Sequence, residues 1–96
     1  MQRRFTWDLK KSAANVKKHG ISFMEAITAF NDRGAFFEPD KDFPERGNLI
    51  AYSVESRMLF VVYLDREDPD LTRIVSARKP TKLERKRYEE NLKSLL

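Results

Sequence analysis

The apolar positions change period along the chain, and those changes mark out the elements. Residues 3–7 alternate charged, apolar, polar and apolar, with Phe5 and Trp7 on one side, which predicts a short strand with an inward aromatic face. Asp8 stands at the N-cap of a helix running to about His19. Gly20 is placed to close that helix in the left-handed conformation, and basic side chains in its last turn oppose the negative end of the dipole. Within this helix Leu9, Ala13 and Val16 fall at i, i+4 and i+7 and are expected to face the core, while Lys11, Asn15, Lys18 and His19 make a polar stripe on a different face. Ser22-Phe23-Met24-Glu25 is a capping box with Ile21 and Ala26 placed to staple across it. Phe23, Ala26, Ile27 and Phe30 then continue one apolar stripe that stops near residues 31–34.

Beyond this point the period shortens. Residues 35–38 read as a short strand, 39–47 as an acidic loop with prolines, and 49–55 as an alternating strand that turns at residues 55–56. Residues 57–64 are apolar on both faces, which places them in the centre of a sheet. A polar turn over 65–71 leads into a strand over 72–78. Thr81-Lys82-Leu83-Glu84 is a second capping box, opening a helix in which Leu83, Tyr88, Leu92 and Leu95 share an inward side and Arg85, Lys86 and Glu89 point outward. The predicted fold class is α+β: an antiparallel sheet of about four strands, two N-terminal helices and one C-terminal helix, with the helices against one sheet face.

Composition narrows the function. A chain of 96 residues with 41% apolar and 35% charged side chains supports one core, so a single domain over residues 1–96 is expected. The absence of cysteine removes disulfides, thiolate catalysis and cysteine zinc sites, and fits a reducing, cytoplasmic setting. The longest apolar run, residues 58–64, is far short of a membrane span, and the N-terminus lacks the apolar core of a signal peptide, so no membrane partner is expected. Charge is partitioned: residues 1–20 carry six basic side chains against one acid, residues 21–72 five against eleven, and residues 73–96 eight against three, giving the net +4. If the two basic ends meet in the fold they form one cationic surface. Residues 73–88 are the most one-sided stretch, with seven cations against Glu84 alone, a local field suited to a polyanion.

Phe5-Thr6-Trp7-Asp8, Lys11, Asn15, Lys18-His19-Gly20-Ile21 and Phe23 together resemble the opening signature of the BrnT toxins of bacterial type II toxin–antitoxin systems. Residues 57–63 and 73–79, with Thr81, Glu84 and Tyr88, are similar to that family's central strand and closing strand-helix unit. The resemblance spans nearly the whole chain in order. It implies a RelE-like fold, a ribonuclease activity that arrests translation and growth, a cognate BrnA-like antitoxin, and contact with operator DNA only through the toxin–antitoxin complex. Two departures stand out: the family's short glycine turn is replaced by the longer acidic stretch 65–71, and Pro80 stands where alanine is often found.

The residues fit metal-free RNA cleavage, in which a 2′-hydroxyl loses a proton and attacks its own phosphate. Arginine forks hold phosphate oxygens and stay charged, which makes Arg57, Arg73 and Arg78 candidates for the clamp. On regular alternation Arg73 and Arg78 point to opposite faces, which favours Arg57 and Arg78 unless a bulge intervenes. His19 is the chain's one histidine and the natural proton carrier, with helix capping or packing as the competing role. Lys79 is an electrostatic helper, Glu84 a capping residue or a base, and Tyr88 a core residue or a surface for a base. Lys11, Asn15, Lys18, Arg73, Lys82 and Arg85 are the expected nucleic-acid contacts, with simple solvation the competing reading of the first-helix stripe. No cofactor is expected. The acids Asp40, Asp42, Asp65, Asp68 and Asp70 read as turn residues, and the chain lacks a phosphate-cradling glycine loop and a nucleophile elbow. A non-catalytic nucleic-acid binder and a protein-interaction module with a basic docking face remain as alternatives to the nuclease.

Overall fold

Strand β4 (Met58–Leu64) is apolar at every second position on both of its faces, and the rest of the molecule is arranged to cover it. The computed structural model describes residues 3–65, 68 and 70–96. Arg66, Glu67 and Pro69 of the expected 65–71 turn therefore lie outside the described residues. Chain order is β1 (Arg4–Thr6), α1 (Leu9–His19), α2 (Phe23–Thr28) with a single 3-10 turn (Ala29–Asn31), β2 (Phe36–Pro39), β3 (Arg46–Tyr52), β4, β5 (Leu71–Arg78) and α3 (Lys82–Ser94).

The expected four-stranded antiparallel sheet is a five-stranded mixed one, ordered β1-β5-β4-β3-β2. Two helices separate β1 from the other strands, so it crosses over to pair in parallel with β5, Arg4 opposite Leu71 and Thr6 opposite Arg73. The other pairs are antiparallel. Phe5 is thereby carried into the core, with its ring 4.9 Å from that of Phe30.

The helices occupy both faces rather than one. Leu49, Ala51, Leu59, Val61, Tyr63, Ile74 and Ala77 pack against Ile21, Phe23, Ala26 and Ala29 of the α1–α2 side. The alternate residues Ile50, Met58 and Phe60 form a second cluster closed by Tyr88 of α3. A strand apolar on both sides needs a second cover, and α3 supplies it. Tyr88 is 3% exposed, whereas Leu83 and Leu95, expected inward with it, are 66% and 60% exposed. Thr81 and Glu84 make the reciprocal capping box that the sequence predicts.

A bulge interrupts the β4–β5 ladder. Val62 faces Ser76 and Tyr63 faces Ile74, which leaves Val75 as an extra residue and flips the alternation. Arg73, opposite Leu64, and Arg78, opposite Phe60, consequently share the α3 face of the sheet, against the expectation from regular alternation.

Helix α1 turns a different side inward from the one its hydrophobic pattern predicts. Leu9 is 79% and Val16 45% exposed, Ala13 is exposed too, and the buried residue is Asn15. The cause lies in the strand beneath. β1 ends opposite Arg73, so the outer edge of β5 further along has no strand beside it. Asn15 fills that place: its Nδ2 donates to the carbonyls of Ala77 and Ile21, both at 2.8 Å, and its Oδ1 accepts from the Ala77 N–H at 3.2 Å. One side chain thus does for Ala77 what a neighbouring strand would do. It also binds the basic N-terminal helix to the basic C-terminal strand.

Candidate nucleic-acid interface

The register brings three strand ends together. Tyr52 closes β3 opposite Met58, which opens β4, and Phe60 of β4 lies opposite Arg78, which closes β5. At this same end α1 finishes with Lys17, Lys18 and His19, and α3 begins. The acidic loop of residues 40–45 and the acids Asp65, Asp68 and Asp70 follow from strand ends at the opposite pole. There Arg3 and Arg4 pair with Asp65 and Asp68.

The β3–β4 turn is tight, with Ser53 N–H bonded to the Arg57 carbonyl at 2.8 Å and Ser56 in the left-handed region at φ 61°. Between this turn and the start of α3 is a cavity of about 410 Å³ lined by Arg57, Lys79 and Arg85, with Tyr52 and Ser56. Among the described residues none of its lining side chains is acidic. Lys79 and Arg85 form no ion pair among the described residues, whereas Arg57 is paired with Glu25 behind the wall, so the excess positive charge around this hollow comes from Lys79 and Arg85.

Arg57 is held from behind. Its Nε donates to Glu25 Oε2 at 2.9 Å, and its Nη2 bonds both Glu25 Oε1 and the Gly20 carbonyl, the latter at 3.1 Å. Glu25 also accepts from the Ser53 hydroxyl at 2.7 Å. Arg57 thus aligns its fork against the α1–α2 turn, and His19, half-buried, directly precedes the glycine it touches.

Arg78 is placed differently. It lies over the Phe60 ring, 4.1 Å from the centroid, with Nη1 and Nη2 donating to the two oxygens of Glu84 at 2.8 and 2.9 Å. Glu84 Oε1 also accepts the Thr81 N–H at 2.8 Å. This fork-to-fork pair sits on the α3 face, beside a second cavity of about 580 Å³ whose walls include Glu38, Asp40 and Asp42. Arg57 and Arg78, the two arginines favoured for one clamp, therefore line different hollows. Arg73 faces a third hollow, in the company of Glu45, Asp65 and Asp68.

Of the other expected site residues, Tyr88 is in the core and donates its hydroxyl to Asp32 Oδ2 at 2.7 Å, so it presents no ring to a substrate. Asn15 is buried with its amide fully engaged, which takes it out of the nucleic-acid contacts. Lys11, Lys18 and Lys82 are exposed. The structure thus gathers Arg57, Lys79 and Arg85 around one hollow, leaves His19 next in sequence to the glycine that Arg57 touches, and gives Arg78, Glu84, Tyr88 and Asn15 structural partners. Tyr52 and Glu25 are additions that the sequence reading missed. Tyr52 carried no signal, because the strand expected over 49–55 placed it in mid-strand whereas β3 ends at it, and Glu25's was concealed by its expected role in a capping box.

Three carboxylates carry acid sensitivity. The Arg57 hydrogen bond holds Glu25 below its ordinary 4.5. Burial pushes Glu84 up, but the bonds from Arg78 and the Thr81 amide outweigh it and leave it lowered. Asp32 is likewise lowered, its burial outweighed by donors from the Tyr52 amide, Tyr88 and the Gly34 amide. A group whose folded pKa lies below its unfolded one stabilises the fold at pH above the unfolded value, and that contribution is lost as protonation proceeds below it. Thermal midpoints are therefore expected to hold near pH 6 and to fall as pH drops below about 4.5. The fall is shallower in Glu84→Gln. Melting curves from pH 6 to 3 check this, and equal slopes in the two proteins contradict it.

Fold and site define a small α+β protein with a cationic cleft at one end of a mixed sheet. The family model for BrnT, the ribonuclease toxin of type II toxin–antitoxin systems, matches residues 7–84, and the chain belongs to that family. A crystal structure of the Brucella abortus ribonuclease toxin BrnT superposes with a TM-score of 0.66 at 19% identity, covering 84% of this chain and 100% of that one. That likeness establishes a shared fold. No curated protein sequence matches. Among the described residues no helix is long and apolar enough to cross a membrane, and no three His, Cys, Asp or Glu side chains converge to hold a metal.

Proposed function

We propose that the chain is a metal-independent endoribonuclease on a RelE-like scaffold, one domain over residues 1–96, which arrests translation in the cytoplasm until a BrnA-like antitoxin covers it. The observation that carries this reading is the hollow lined by Arg57, Lys79 and Arg85, in which Lys79 and Arg85 form no ion pair among the described residues. These cations hold the scissile phosphate and offset the charge that builds on its oxygens as the RNA 2′-hydroxyl attacks. His19, next to the Gly20 carbonyl that Arg57 grips, exchanges the proton. Exposed Lys18 and Lys82 extend the cationic surface along the RNA backbone. The antitoxin gains most by laying an acidic segment over residues 79–85, and it brings the pair to operator DNA.

Purified protein incubated with RNA in EDTA is expected to cut it and to leave 2′,3′-cyclic phosphate ends. Steeply salt-dependent binding without any cut would replace the enzyme by a passive nucleic-acid binder.

A further inference from the structure

Tyr52 is the aromatic side chain on the wall of the cationic hollow. It is 40% exposed, whereas Tyr63 and Tyr88 are 7% and 3% exposed. Its ring stands at 82° to that of Tyr88, with centroids 5.6 Å apart. The Tyr88 hydroxyl donates to Asp32 Oδ2 at 2.7 Å, and the same oxygen accepts the Tyr52 N–H at 2.9 Å. One carboxylate therefore anchors both the backbone of Tyr52 and the ring that buttresses it. A large aromatic ring, 40% exposed, is thus held in place beside Arg57, Lys79 and Arg85.

We propose that Tyr52 is the surface on which one unpaired RNA base stacks while Arg57, Lys79 and Arg85 hold the adjoining phosphates. The proposal rests on the reading of the hollow as the RNA site and adds what that reading leaves open, the means by which a base is held. Aromatic rings accept any base face, so the site is expected to tolerate sequence while requiring a base to be present. Bases in an A-form duplex are stacked on one another and present no free face, so the substrate is single-stranded. A hollow of about 410 Å³ has room for one nucleotide. Tyr88 and Asp32 act as positioning residues through Tyr52.

The experiment compares wild type, Tyr52→Ala, Tyr52→Phe and Tyr52→Trp on a single-stranded oligoribonucleotide and on the same strand with one abasic position beside the cut. A 2′-O-methyl copy of each strand, which cannot be cut, reads affinity alone. Tyr52→Ala is expected to raise KM and the Kd of the 2′-O-methyl strand about 10- to 100-fold, with kcat little changed. Phe and Trp restore both. Removing the base weakens wild type by a similar factor and leaves Tyr52→Ala indifferent. Equal affinity of wild type and Tyr52→Ala for the 2′-O-methyl strand, with melting temperatures matched, overturns the proposal. A base-dependent affinity without cleavage of the native strand instead upholds stacking and overturns the nuclease reading.

Discussion

Replacing Asn15 by Leu is expected to lower the free energy of unfolding by about 3–5 kcal/mol, a third or more of what a small domain commonly has. Leucine matches the shape of asparagine, so the loss comes from hydrogen bonding. The Ala77 N–H, the Ala77 carbonyl and the Ile21 carbonyl each lose a partner at a site where Ala77 and Ile21 are wholly buried. Each orphaned group costs about 1–3 kcal/mol, partly recovered if water enters. Asn15→Asp separates this mechanism from simple packing: its carboxylate still accepts from Ala77 N–H but sets negative charge against two carbonyl oxygens, so it is expected to be at least as harmful. Lys11→Ala, one turn earlier and exposed, serves as the neutral control. Chemical denaturation of the four proteins checks the order, and an Asn15→Leu variant within 1 kcal/mol of wild type refutes it.

The same residue shows what the sequence made legible and where it misled. Helix boundaries followed from Asp8, Gly20, Ser22 and Thr81, because caps act through neighbouring backbone and need no tertiary context. The centre of the sheet followed from the two apolar faces of residues 58–64. Which side of α1 faces inward did not follow, because that side is chosen by an unpaired strand edge more than sixty residues away. The pattern of Leu9, Ala13 and Val16 carries no information about that edge. The parallel pairing of β1 was hidden for a related reason: three residues carry too little periodicity to declare a partner across two helices.

The candidate site was legible as a charge imbalance and illegible as a geometry. The basic ends do meet, through Asn15 and the convergence of strand ends, and the acids of residues 40–45 with Asp65, Asp68 and Asp70 lie at the far pole, while Glu25, Glu55 and Glu84 stay among the cations. That arrangement was implied by a chain basic at both ends and acidic between. The allocation of individual arginines was not implied. The extra residue Val75 moved Arg73 onto the face of Arg78, and the capping glutamate Glu84 took the Arg78 fork for itself. Arg57 stands on the other face because it immediately precedes Met58, whose side chain points to α3.

That division yields the sharpest functional expectation. Arg57→Ala is expected to reduce RNA cleavage about 10²- to 10³-fold, the usual scale for removing one preorganised donor from a charged transition state. Arg78→Ala is expected to lower the melting temperature while leaving the rate within a few-fold of wild type, because both of its Nη atoms are engaged by Glu84 and its plane lies over Phe60, whereas Arg57, though paired with Glu25 through Nε and Nη2, keeps Nη1 without a partner among the described residues. Arg57→Lys does not restore the rate: one ammonium cannot grip both oxygens of Glu25 and the Gly20 carbonyl and still leave a donor, as Nη1 is left here, for a phosphate oxygen. Because Arg57 also pins the α1–α2 turn, Lys79→Ala and Arg85→Ala supply the test free of that role. Both side chains are exposed, neither touches Glu25, and each is expected to slow cleavage about tenfold or more. Single-turnover cleavage rates on one oligoribonucleotide, with melting temperatures beside them, decide the matter. If Arg78→Ala abolishes cleavage while Arg57, Lys79 and Arg85 prove dispensable, the chemistry belongs in the cavity beside Arg78 and Glu84 and not in the hollow lined by Arg57, Lys79 and Arg85.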